Sequence, residues 1–226
     1  MVEQVEAVVF DLDGVLVDTE PVWAAVRQEL TVSSGGHWTD EAAAPMLGMS
    51  GPEWSAYIHD ELEVPLPPAE IHERVVNEVV ARIRQGLSPI PGALEAVARI
   101  AARWPVAVAS SADRPVIEAA LAATGLGEWL HVIVTSEEAG GGKPAPDVFL
   151  LAGERLRVAP REAAGVEDSP NGMRAVKAAG MVLIAIPNPS TPVDEDALAL
   201  ADLVLDSIAQ LTPEAVVAAA SKVPRR

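Results

Sequence analysis

Val8-Val9-Phe10-Asp11-Leu12-Asp13-Gly14-Val15-Leu16-Val17-Asp18-Thr19 is the stretch on which the reading of the chain turns. An apolar run from Val5 to Phe10 has the length of a strand and leads straight into two aspartates spaced i, i+2, with Gly14 behind them. On an extended backbone that spacing puts both carboxylates on one side. Like charges held together repel, so the arrangement makes sense if a cation sits between them or if one carboxyl stays protonated as an acid. A strand running into a solvated acidic turn is the plain alternative, and the rest of the chain has to decide between the two.

Working outward, residues 20–30 read as a helix with Thr19 as its N-cap and Pro21 near the first helical position. From Ser33 to about Pro89 there is no β-branched strand run. Helical patterns over 39–47, 52–61 and 68–85 are separated there by Gly- and Pro-containing breaks. Ser88-Pro89-Ile90-Pro91-Gly92 closes this region, after which helices and strands alternate. The strands are expected at 106–109, 132–135, 163–166, 182–186 and 203–205, and the helices at 93–103, 114–124, 146–156, 172–179 and 213–221. The pattern predicts an α/β fold, a doubly wound and mostly parallel sheet covered by helices on both faces. Residues 1–17 and 90–226 would form this core, and 18–89 an inserted helical cap.

At 226 residues and half hydrophobic, the chain can bury a sizeable core without covalent staples. It has no cysteine, which excludes disulfides, thiolate zinc sites and thiol nucleophiles; any metal must use oxygen or histidine. A net charge of -17 opposes nucleic acid and anionic membrane surfaces as partners. The start, Met1-Val2-Glu3-Gln4, lacks a basic leader pattern, and no apolar run approaches membrane-spanning length, so a soluble, cytoplasmic protein is expected. A monomer or weak homo-oligomer acting on a small molecule fits these features.

In open parallel sheets, ligands bind beyond the carboxyl ends of the strands. The residues there are Asp11 and Asp13 after the first strand, and Ser110, Ser111 and Asp113 after the second. A glycine run leading to Lys143-Pro144 follows the third, and Glu167, Asp168 and Ser169 follow the fourth. Oxygen ligands from Asp11, Asp168 and Glu167 suit a hard divalent ion such as magnesium, while serine hydroxyls, backbone N–H groups and a lysine suit a phosphoryl group.

These residues resemble the haloacid dehalogenase-like hydrolase superfamily, and within it the β-phosphoglucomutase and sugar-phosphatase-like branch. The likeness rests on four motifs in the family's order: Asp11 to Pro21, Ala109-Ser110-Ser111, Gly142-Lys143-Pro144-Ala145-Pro146-Asp147, and Val166-Glu167-Asp168-Ser169-Pro170-Asn171-Gly172. The resemblance implies that Asp11 is the nucleophile that forms an aspartyl-phosphate. Asp13 would be general acid and base and also a metal ligand through its carbonyl. Ser110, with the N–H groups of Ser111 and Ala112, would hold phosphate, and Lys143 would neutralise the nucleophile and the transferring group. Glu167 and Asp168 would hold magnesium with Asp11, Glu167 either through water or by orienting its neighbours.

Two departures bear on substrate. Gly51 stands where mutases of this branch have an arginine and Trp23 where they have a histidine, with Arg74, Arg82 and Arg84 as substitute cations on another helix. The expected activity is therefore a magnesium-dependent phosphatase of small phosphomonoesters, sugar or polyol phosphates. β-Phosphoglucomutase, haloacid dehalogenase and a catalytically silent binding protein are the alternatives. Trp23, on the helix leaving the aspartate loop, is a candidate substrate contact at the seam between core and cap. Trp38, Trp54, Trp104 and Trp129 read as packing residues, and His37, His59, His72 and His131 show no metal-ligand spacing.

Overall fold

Runs such as Ala7-Val8-Val9-Phe10 and Val106-Ala107-Val108-Ala109 have no polar side, and each is buried on both faces. That is the pattern of a parallel sheet sandwiched between helices. The computed structural model describes residues 5–39, 41–46, 49–188 and 193–222. Its strands are β1 (Ala7–Phe10), β2 (Val106–Ser110), β3 (Val132–Thr135), β4 (Ala163–Glu167), β5 (Val182–Ala185) and β6 (Leu203–Val204). They form one sheet in the order β3-β2-β1-β4-β5-β6, and every pairing is parallel.

Val8, Phe10, Val108 and Val166 face one layer with α4 (Ala93–Ala101), α5 (Arg114–Thr124) and α10 (Pro213–Ala220). Val9, Ala107, Ala109 and Leu183 face the opposite layer with α7 (Asp147–Leu156) and α8 (Pro170–Ala178). Strand order reverses at β1, which lies between β2 and β4, so the loops beyond these three strands open a crevice at the switch point.

Between β1 and α4 the chain inserts α1 (Glu20–Ser33), α2 (Gly51–Asp60) and α3 (Pro68–Gln85). It leaves and returns side by side: Val17 bridges Pro89 in antiparallel fashion, and Ile90 N–H donates to Leu16 O at 2.9 Å. Ile71, Val75 and Val79 recur on one face of α3 and are buried, and α3 packs on α1, α2 and α5. The apolar cluster therefore continues from the sheet into the insertion.

The helix expected at 39–47 is not formed. Residues 41–43 make a turn and Ala44–Met46 a single 3₁₀ turn, while Asp40 and Leu47 fall outside the described residues. Pro45 supplies no N–H, and only Ala42 and Met46 are buried, too few for a helical stripe. Ser136–Ala139 is a short helix, α6, that the sequence pattern did not include; Thr135 Oγ1 accepts the Glu138 N–H at 3.1 Å and caps it. A further short helix, α9 (Glu195–Leu198), is capped by Asp194. Among the described residues no helix is long and apolar enough to cross a membrane.

Candidate active site

The ends of β1 and β4 bring the first acidic groups together. Asp11 N–H donates to Val166 O at 2.9 Å, fixing the residue just past β1 against its neighbour strand. Lys143, carried by the loop between α6 and α7, donates its ammonium to Asp11 Oδ1 and, at 2.7 Å, to Glu167 Oε1. The same ammonium lies 5.2 Å from the centre of the Phe149 ring. Glu167 is fully buried, and its other oxygen accepts from the N–H groups of Asp168 and Ser169, both at 2.9 Å, and from Ser169 Oγ at 3.0 Å. Asp168 is turned against Gly14, whose φ of +85° is open to glycine and whose absent Cβ would overlap the Asp168 carboxylate. One oxygen each from Asp11, Glu167 and Asp168 lie within 4.8 Å of one another.

Three buried carboxylates share one ammonium. Burial raises the Asp11 pKa to about 7, Lys143 working against the rise and Glu167 with it. Burial again, then the charges of Asp11 and Glu167, push Asp168 up to about 9. Burial alone would lower Lys143, but Asp11 and Glu167 outweigh it and hold the ammonium above its ordinary value. The cluster is thus short of positive charge, and its donors are all oxygen, which is the condition a hard divalent cation relieves. The residues present fit a divalent metal, which Asp11 and Asp168 would hold. Glu167, with both oxygens already accepting hydrogen bonds, is better placed to fix Lys143 and the following backbone than to coordinate.

β1 ends at Phe10, so Asp11 and Asp13 lie just beyond the strand, and the Lys143 ammonium bonds the first of them. Asp13 instead accepts from Thr19 Oγ1 at 2.5 Å and from Thr19 N–H at 3.2 Å, and it stands outside the three-carboxylate cluster. Thr19 stands at the N-cap of α1, as expected, but its hydroxyl makes no capping bond and is used on Asp13. Burial raises the Asp13 pKa, and the two Thr19 bonds partly oppose it. Ser110 is buried at the end of β2, where its Oγ accepts the Ala112 N–H at 3.1 Å; that N–H, expected to serve phosphate, is already engaged. Ser111 Oγ lies 3.2 Å from Ser136 Oγ.

Asp11, Asp13, Ser110, Ser111, Lys143 and Asp168 all line one cavity of about 560 Å³, while Glu167 lies beneath its floor. The insertion supplies the roof, including Trp23, Arg27, Met49 and Trp54. Trp23 stands at the seam, as expected. Trp54 does more than pack: it is 2% exposed and also forms cavity wall. Arg74, Arg82 and Arg84 do not line the cavity; Arg74 pairs with Glu70, and Arg82 with Glu29 and Glu78. A Cβ at Gly51 would lie 2.5 Å from His72 Nε2, so a side chain there requires the His72 ring to shift.

Arg27, which sequence reasoning passed over, and His72, which it named only as lacking metal-ligand spacing, have places here. Arg27 lies one helical turn beyond Trp23 and is buried in the roof, a position that the i, i+4 spacing of the two residues on α1 signals in part. His72, on α3, brings Nε2 to 3.1 Å from Asp113 Oδ1 at the start of α5, joining insertion to core. The contact is poorly aligned for a hydrogen bond but is a close ion pair, and the carboxylate raises the His72 pKa.

Comparison with known proteins agrees with this geometry. A family model for haloacid dehalogenase-like hydrolases matches residues 5–180. Hexitol phosphatase B of Escherichia coli K12 is 30% identical over 215 residues, spanning 92% of this chain and 95% of its own. The bifunctional riboflavin kinase/FMN phosphatase of Arabidopsis thaliana is 31% identical over 209 residues, and the match spans 92% of this chain but only 54% of that longer protein. Among solved structures, CbbY from Rhodobacter sphaeroides in complex with xylulose-(1,5)bisphosphate is 32% identical, with a TM-score of 0.85 over 94% of this chain and 99% of CbbY. With the sheet, the four motifs and these matches in agreement, the chain belongs to the haloacid dehalogenase-like hydrolase family, in its sugar-phosphatase and β-phosphoglucomutase-like branch.

Proposed function

We propose that the protein is a magnesium-dependent phosphatase that hydrolyses small phosphomonoesters, sugar or polyol phosphates, through an aspartyl-phosphate on Asp11. The observation that carries the reading is the Lys143 ammonium held between Asp11 and Glu167 at the floor of a cavity that Asp13, Ser110 and Asp168 also reach. Hexitol phosphatase B, named above, supports the substrate class.

An Asp11 oxygen attacks phosphorus while the bond to the departing ester oxygen breaks, and Asp13, protonated, gives its proton to the leaving alkoxide. Burial favours that protonated form, and Thr19 holds the carboxyl in place. Asp13, now a carboxylate, takes a proton from water as the water attacks phosphorus, releasing inorganic phosphate and regenerating Asp11. Ser110 and Lys143 balance the charge on the transferring oxygens. Asp11 and Asp168 would hold magnesium, which when bound would supply positive charge against the phosphoryl oxygens and keep both carboxylates ionised. Residues 18–89 act as a cap that excludes water and sorts substrates. The protein works in the cytoplasm as a monomer or weak homo-oligomer.

Phosphate release across a panel of phosphorylated sugars and polyols, with and without magnesium, tests this. Chelator-sensitive release is expected. Conversion of β-glucose 1-phosphate to glucose 6-phosphate without free phosphate would replace the reading with a mutase, and chelator-resistant halide release would replace it with a dehalogenase.

A further inference from the structure

Arg27 is 6% exposed and lies between two indoles, its guanidinium carbon 4.8 Å from the centre of the Trp23 ring and 4.9 Å from that of Trp54. The rings meet edge to face with centroids 5.9 Å apart, which holds the cation in one place. Its Nε is buried, and among the described residues the guanidinium makes no hydrogen bond or ion pair. Glu20, seven residues earlier on α1, is the charge it feels most, but no bond joins them. The buried Nε is costly, because its donor has left water with nothing in return, and the guanidinium lines the cavity.

Three cations line the cavity. Lys143 is committed to Asp11 and Glu167, and Arg174 to Asp194 at 2.8 Å, so Arg27 is the one without a carboxylate partner among the described residues. It belongs to the inserted helices, whereas the phosphoryl-binding groups belong to the strand ends below.

Building on the phosphatase reading, we propose that Arg27 receives a second anionic group of the substrate, remote from the ester that is cleaved. Doubly anionic phosphomonoesters are thereby selected over singly phosphorylated ones of the same carbon chain. The planar guanidinium matches a phosphate or carboxylate with two parallel hydrogen bonds, and the flanking rings fix the orientation of that fork.

The test compares kcat/KM for hexitol 1,6-bisphosphate and hexitol 1-phosphate, with magnesium, in the full-length protein and in Arg27→Met and Arg27→Lys. The unaltered protein should favour the bisphosphate at least about tenfold, as expected for one charge-assisted contact. In Arg27→Met the preference should vanish through KM rather than kcat, and Arg27→Lys should recover part of it. A hexonate 6-phosphate arm shows whether carboxylate serves as the second anion. No preference in the unaltered protein overturns the proposal, and that result stands even if Arg27→Met does not fold; so does a preference that survives in folded Arg27→Met. Should neither compound release phosphate, the phosphatase reading is decided by the wider panel above. Calorimetric binding of the two compounds then still decides the role of Arg27, equal affinities overturning it.

Discussion

On the floor of the cavity Lys143 is bonded to two carboxylates, Glu167 to three further donors and Asp13 to Thr19, whereas in the roof Arg27 lies between two indoles with no acceptor among the described residues. In the floor Lys143, Glu167 and Asp13 are hydrogen-bonded before any substrate arrives, and the remaining deficit is positive charge. The roof lacks an anion. Chemistry is thus set by strand ends that hold one another in position, and selection by a helix that can meet an acceptor only when a ligand enters. The two regions should respond differently to substitution, pH and metal.

The largest contrast is expected from Lys143→Met. It leaves buried carboxylates without their ammonium, so phosphate release should fall by roughly 10²–10³-fold, and unfolding in urea at neutral pH should show a loss of roughly 3–5 kcal/mol. Arg27→Met, which orphans no partner, should cost much less stability in the same assay. Equal losses would erase the distinction between floor and roof.

Next in size is the pH dependence of the metal-free protein. Asp11 and Asp168 have folded pKa values above the ordinary aspartate value, raised to about 7 and about 9. Their contribution is therefore fully present below the unfolded pKa and lost as pH rises through the folded ones. Melting temperature without metal should fall between pH 5 and pH 9, with a slope of up to about 1.4 kcal/mol per pH unit for each group. Magnesium should flatten the fall; a metal-free profile that rises with pH would contradict the charge deficit.

Thr19→Val removes the 2.5 Å hydroxyl bond to Asp13 while the backbone bond remains. Because that bond favours the charged carboxylate, its loss should move the Asp13-dependent limb of the pH–rate profile to higher pH and lower kcat by about tenfold. An unmoved limb would assign Thr19 to packing alone.

The smallest effect is expected at the seam. His72→Gln should cost on the order of 1 kcal/mol or less. The His72 pKa is raised by Asp113, so this loss should be seen below the ordinary histidine value and disappear as pH rises through the raised one. Thermal melts of both proteins at pH 6 and pH 9 read it.

The sheet was legible in the sequence because each strand is a short, continuous apolar run ending in polar residues, and the i, i+4 apolar face of α3 was equally plain. The region around Ala44–Met46 was not, since three alanines imitate a helix until Pro45 and sparse burial break it. Asp11, Ser110, Lys143 and Asp168 could be named because strand ends of a parallel sheet converge by topology. The partners of Asp13 and Glu167 could not, because they depend on local turns whose geometry no spacing reveals. Arg27 was missed for a related reason: on a helical wheel it is one more charged residue, and only the approach of Trp54 from α2 makes it a buried cation.

The most direct test is to reduce the protein with borohydride during turnover and locate the modified residue by mass spectrometry. A phosphorylated carboxylate is trapped as the alcohol, so conversion of Asp11 to homoserine, dependent on substrate and magnesium and absent in Asp11→Asn, is the expected result. Modification at a different carboxylate, or phosphate release that continues in Asp11→Asn with nothing trapped, would contradict the assignment of Asp11 as the nucleophile.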